Sequence, residues 1–139
     1  MIVDAKDQIL GRIATHIAKM AILGETVDVI NCESMIISGR PEQVLARYQK
    51  FQAMGSRPNK GPFLPRMPDR FVRRAIKRMI PFRTTRGKEA FQRVMCHIGT
   101  PDEFKGKETT AFEGTNVSKL PNMYYTSVGD VCKKLGAKI

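Results

Sequence analysis

Apolar and polar positions along this chain change period several times, and each change marks an element. Residues 1–5 (MIVDA) form a short apolar run that predicts a buried first strand. Across residues 10–24, Leu10, Ile13, Ala14, Ile17, Ala18 and Ala21 recur at helical spacing, and Gly24 stops the pattern. Residues 27–32 (VDVINC) are rich in β-branched side chains and predict a second strand. A third short strand at 35–38 runs into Ser38-Gly39-Arg40-Pro41. Proline favours a first helical position, so a helix should start at Pro41 and bury Val44, Leu45, Tyr48 and Phe51.

Residues 53–69 break the periodicity and contain Pro58, Pro62, Pro65 and Pro68. An irregular stretch of that length is uncommon inside a compact domain. It is either disordered in isolation or extended along another surface, and its composition favours the second. Prolines stiffen it, Gly55 and Gly61 permit close backbone approach, and Arg57, Lys60 and Arg66 carry charge. A helix is then expected over 69–80. Phe71, Val72, Ala75, Ile76, Met79 and Ile80 occupy one side of it, and Arg70, Arg73, Arg74, Lys77 and Arg78 the other. Asp69 is placed to cap that helix or offset its dipole, and Pro81 to stop it. A basic turn, Arg83 to Gly87, leads to a short helix containing Ala90 and Phe91. Its capping signal is incomplete, because Glu89 lies four residues after Thr85 rather than three. Residues 94–98 (VMCHI) predict another strand, 99–126 are irregular, and 127–136 predict a C-terminal helix whose apolar face should dock on the sheet.

Strand and helix patterns that alternate in this way indicate an α/β fold. The expected architecture is a three-layer sandwich: a mostly parallel sheet of about four strands, helices on both faces, and a long basic loop. The 139 residues suit one domain spanning 1–139. No apolar run approaches the length of a membrane helix, and the N-terminus lacks a signal-peptide layout. The three cysteines, Cys32, Cys96 and Cys132, are odd in number and far apart, which fits buried thiols in a reducing cytoplasm better than a disulfide framework or zinc site.

Charge changes the picture more than composition does. Half of the 24 Lys and Arg residues lie between positions 57 and 93: Arg57, Lys60, Arg66, Arg70, Arg73, Arg74, Lys77, Arg78, Arg83, Arg86, Lys88 and Arg93. Only Asp69 and Glu89 oppose them, so this segment carries +10 while the rest of the chain carries +1. Like charges gathered together repel one another, and a polyanion relieves that repulsion. Nucleic acid is the leading partner, because each neutralised phosphate releases counterions. On the 69–80 helix no glutamate stands four residues from a cation, so the charges are not there for intrahelical pairing. Arginine outnumbers lysine nine to three in the segment, which suits bidentate phosphate contact with structured RNA. Aromatic residues make up only 7% and there is no Trp, so single-strand stacking should not dominate. The helix lacks Asn and Gln for reading base edges in a DNA groove, which leaves shape and phosphate as what it recognises.

Catalytic groups are sparse. His16 and His97 are isolated, and a general base needs a positioned partner. There is no phosphate-binding P-loop, dinucleotide fingerprint or zinc-protease motif. Gly11 alone cannot supply the three backbone roles of a dinucleotide turn, and Asp4 and Asp7 read as turn and cap residues. No enzyme activity, cofactor, metal or small-molecule substrate is expected.

The run IKRMIPFRTTRGKEAFQRVMCHIG (76–99) resembles the signature of the L-thirteen family of large-subunit ribosomal proteins. The opening VDAKDQILGRIATHIAK, with Leu10-Gly11-Arg12, resembles the family's start. VINCESMIISG and RPNKGPFLPRMPDRFVRR resemble its archaeal and eukaryotic branch, and the likeness covers most of residues 1–105. The resemblance implies an α/β sandwich, large-subunit ribosomal RNA and neighbouring ribosomal proteins as partners, an early role in subunit assembly, and a cytoplasmic location. It adds Arg12 to the residues expected to touch RNA. Two other readings stay open: a free regulatory RNA-binding protein acting off the ribosome, and a small nucleotide-binding α/β enzyme using the turn after strand one.

Overall fold

The computed structural model describes residues 1–54 and 59–139. Arg57, with Gly55 and Pro58 of the predicted loop, lies outside the described residues. Three parallel strands, β1 (Ile2–Asp4), β2 (Val27–Ile30) and β4 (Val94–Cys96), form one sheet in the order β1-β2-β4. Val3 stands beside Val29, and Val29 beside Cys96. The expected fourth strand, β3 (Ile36–Ser38), is not part of this sheet. It pairs antiparallel with β5 (Tyr125–Ser127), with Ile37 opposite Thr126. The reason is chain length. A parallel neighbour of β2 needs a crossover of a dozen residues or more, and only residues 31–35 separate β2 from β3. Asn31 turns the chain there with φ +56°, a left-handed conformation that asparagine tolerates.

The helices are α1 (Leu10–Leu23), α2 (Pro41–Ala53), α3 (Pro68–Lys77), α4 (Thr85–Gln92) and α5 (Val128–Lys134). Strands β1, β2 and β4 advance across the sheet in one direction. Right-handed crossovers that advance one way leave their helices on the same face. Accordingly α3 and α4 each pack on α1, and the core joins Ile13, Ile17, Val72 and Ile76 to Val3, Val27, Val29 and Val94. The opposite face carries Asp28, Met95 and His97. It meets the irregular chain after β4, where the Phe104 ring lies 5.3 Å from that of His97. The expected helical layer on that side gives way to this segment. Beside the main sheet, α5 packs against β5 and α2, with Val44, Val131 and Leu135 forming a smaller cluster.

Residues 99–126 are less featureless than their sequence suggests. They contain 3₁₀ turns at Asp102–Phe104 and Val117–Lys119, and they lead into β5. Buried Thr115 gives its carbonyl to Ile9 N–H (2.7 Å), which ties this stretch to the start of α1. The C-terminal helix matches expectation: the Ser127 hydroxyl accepts from Asp130 N–H, and Gly136 ends the turn at φ +94°. Among the described residues no helix is long and apolar enough to cross a membrane.

Candidate nucleic-acid interface

Helix α3 presents the cationic surface. Its apolar side buries Phe71, Val72 and Ile76 against α1 and the sheet, so Arg70, Arg73, Arg74, Lys77 and Arg78 are left on the outer side. The helix spans Pro68–Lys77 rather than 69–80. Pro68 takes the first turn, where its missing N–H costs nothing, and Met67 provides the cap position without a side-chain bond. Asp69 therefore does not cap. It sits in the first turn, where its charge opposes the helix dipole, with Oδ1 buried and without a hydrogen-bond partner among the described residues. Met79, expected on the apolar side, lies beyond the helix end. It is 42% exposed, and its sulfur accepts from Thr15 Oγ1.

The basic turn is built around Thr84 rather than Thr85. Thr84 Oγ1 donates to the Pro81 carbonyl (2.9 Å) and accepts from Gly87 N–H (3.1 Å), so the cap bond to the third helical residue exists one position earlier than the sequence suggests. Gly87 has to be glycine, because a Cβ there would lie 2.0 Å from the Pro81 carbonyl oxygen. This close approach seats the first turn of α4 on the Pro81–Phe82 backbone.

The cations divide into groups by what holds them. Arg70, Arg78, Arg83, Lys88 and Lys60 are exposed. Arg73 and Lys77 lie over aromatic rings: the Arg73 guanidinium is 4.6 Å from the Phe91 ring centre, and Lys77 Nζ is 3.8 Å from that of Phe82. Phe82 and Phe91 are themselves packed edge to face, with ring centres 5.4 Å apart. Among the described residues Arg73 Nε, one turn from Asp69 Oδ1, is likewise buried without a hydrogen-bond partner. Arg74 donates to the Phe63 carbonyl. With the Gln52 amide turned so that its oxygen faces Arg66, that oxygen accepts from Arg66 Nε at 3.1 Å and Nη2 at 3.2 Å.

Three of the expected RNA-binding arginines are engaged with distant backbone. Arg86 donates to Ile22 O (3.4 Å) and Arg93 to Ala21 O (3.3 Å), at the C-terminal end of α1, where Ala21 O also accepts from Gly24 N–H. Arg12 donates to Gly114 O at 2.9 Å and anchors the irregular segment. Within the cationic segment, the one ion pair among the described residues is Arg93–Glu89 at 3.9 Å. Sequence reasoning missed the carbonyl contacts and the aromatic bed under Arg73 and Lys77. The +4 spacing from Arg73 to Lys77 and the bracketing Phe82 and Phe91 were the only local hints.

At the carboxyl ends of the parallel strands, the place where α/β folds commonly hold a ligand, the polar groups satisfy one another. Asp4 Oδ1 accepts from Asn31 Nδ2 (2.9 Å) and from Lys6 N–H (3.0 Å). Thr100 donates to Asn31 Oδ1, and Glu33 Oε2 accepts from Gly99 N–H. Among the described residues no group of three or more His, Cys, Asp or Glu side chains is placed to hold a metal ion. The cysteines are free thiols. Burial, with a smaller contribution from Asp69, pushes the Cys132 thiol up to about 12, and contact with Cys96 together with burial raises that of Cys32. Both stay protonated near neutrality and are poor nucleophiles.

Comparison with known proteins agrees with this geometry. Residues 1–103 match the family model described as Ribosomal protein L13. The large ribosomal subunit protein uL13 of Natronomonas pharaonis is 37% identical over 139 residues, covering 100% of this chain and 92% of its own length. Those of Methanococcoides burtonii and Haloarcula marismortui are 36% and 38% identical over 137 residues, covering 99% of this chain and 98% and 91% of their own lengths. With a continuous family match over residues 1–103 and near-complete coverage by archaeal relatives, the chain belongs to the ribosomal protein L13 family, whose members are structural proteins and not enzymes.

Proposed function

We propose that this protein is a structural constituent of the large ribosomal subunit. In this reading it binds large-subunit ribosomal RNA through α3, the Arg83–Lys88 turn and the proline-rich loop before α3, and supports early assembly of the subunit in the cytoplasm. Neighbouring ribosomal proteins cover other parts of its surface. The observation that carries the reading is the cationic groove: Arg70, Arg73, Arg74, Lys77, Arg78 and Arg83 of the +10 segment line one open surface with almost no acid to balance them, an arrangement that a phosphate backbone neutralises. Lys60, Arg66, Arg70, Arg73, Arg74, Lys77, Arg78, Arg83 and Lys88 form the main contact set, together with Arg57. Arg12, Arg86 and Arg93 contribute charge from positions where they also hold carbonyls.

The test is binding to transcripts of large-subunit rRNA at increasing salt. With about six to ten phosphate contacts, affinity should fall about 10³- to 10⁵-fold between 50 and 200 mM salt. An affinity independent of salt overturns the reading. The charge pattern equally suits a regulatory RNA-binder acting off the ribosome, and sedimentation separates the two. The ribosomal reading requires one copy per large subunit, retained through purification in moderate salt.

A further inference from the structure

Three of the seven phenylalanines, Phe63, Phe82 and Phe91, line one open groove together with the α3 cations. Their surroundings differ. Phe82 and Phe91 pack on each other, and Lys77 and Arg73 lie over their rings. Phe63 is 69% exposed. It is nevertheless not loose. Its carbonyl accepts from Arg74, and the next residue, Leu64, packs against the Val44, Val131 and Leu135 cluster. The ring lies against the backbone of Gly61, where a Cβ would come within 3.0 Å of Phe63 Cδ2. The ring is thus supported from below by glycine, tied at its own backbone to α3, and left open at the rim of a cationic groove.

We propose that Phe63 is a stacking platform for one unpaired base of an RNA strand, whose flanking phosphates are held by the α3 cations, Arg70 foremost. The inference rests on the RNA-binding reading above and names what that surface recognises beyond phosphate. An exposed apolar ring beside several cations is a poor seat for an apolar protein side chain, which would have to desolvate those charges without neutralising them. A nucleotide meets both needs: its base has a face for the ring, and its phosphate a charge for the guanidinium groups. Structured RNA supplies such bases at bulges and loops.

The experiment uses the full-length protein and the large-subunit rRNA transcript that it binds tightest. Phe63→Ala, Phe63→Leu and Phe63→Trp are compared by affinity at several salt concentrations and by thermal melting. Loss of one stacked base should weaken Phe63→Ala and Phe63→Leu about 5- to 150-fold, while Phe63→Trp keeps most of the affinity. The salt dependence should keep its slope, since no charge is removed, and the melting temperature should hold because the ring is exposed. Affinity of Phe63→Ala within twofold of the unaltered protein overturns the proposal and leaves phosphate binding intact. Full affinity in Phe63→Leu also overturns it, by making the contact apolar packing. Phe63→Ala that keeps its RNA affinity but is lost from purified large subunits overturns it too, and assigns the ring to a neighbouring protein. Failure of the unaltered protein to bind any rRNA transcript sinks the underlying reading instead.

Discussion

Two polar regions of this molecule are built on opposite logic. At the carboxyl ends of the parallel strands, Asp4, Asn31, Glu33 and Thr100 bond to one another and to nearby backbone N–H groups, so the region is closed. On the α3–α4 side, Arg70, Arg78, Arg83 and Lys88 are exposed, and Asp69 Oδ1 and Arg73 Nε are buried without partners among the described residues. A closed network stabilises the fold and offers nothing to a ligand. An open one of single sign is destabilising on its own and needs a partner. The usual ligand position of an α/β sheet has been made structural here, and the unbalanced charge stands on a helix face instead.

This contrast can be broken in graded steps. The largest effect on the cationic side should come from Gly87→Ala, which drives a Cβ into the Pro81 carbonyl. Overpacking of this kind costs about 1–3 kcal/mol, read as a lower denaturation midpoint, and RNA binding should suffer with it because the turn is displaced. A melt superimposable on that of the unaltered protein would show that the close approach relaxes freely. Next comes Arg78→Glu, a charge reversal on an exposed side chain. It should weaken RNA binding about tenfold, equivalent to about 1.4 kcal/mol, and shift the melting temperature very little. If stability fell while affinity held, the orientation of α3 would be wrong.

Asp4→Ala tests the closed side. It removes the acceptor for Asn31 and Lys6 N–H, so it should cost about 1 kcal/mol of stability with RNA affinity unchanged. Weaker RNA binding in a folded Asp4→Ala protein would erase the distinction between the two regions. The smallest expected effect belongs to Arg86→Ala. Because Arg86 holds Ile22 O, this change should lower stability by about 0.5 kcal/mol and reduce RNA affinity less than Arg78→Ala does. Equal losses of affinity in the two would place Arg86 among the primary phosphate contacts.

Much of the fold was legible because it is local. The apolar spacing of α1, the proline at the start of α2 and the serine cap of α5 are satisfied by residues within a turn of each other. The four-strand expectation failed at β3 because a strand pattern does not name its partner. Its neighbour in space, β5, lies nearly ninety residues away, inside a stretch that looks irregular. The short linker from β2 did carry the information that β3 could not lie parallel beside it. Sparse aromatics likewise argued against stacking, yet composition says nothing of where seven phenylalanines end up, and three share one groove.

The sequence by itself determined the sign of the charged surface and the helix that carries it, because charge and helical period are properties of residues only a few positions apart. Tertiary structure decided which cations face outward and which are tethered. Arg86, Arg93 and Arg12 meet carbonyls 64, 72 and 102 positions away, and such contacts exist only once the chain has closed long loops around its core. It also decided that Phe63 stands beside those cations, since the loop bearing it is held by Arg74 and by the packing of Leu64.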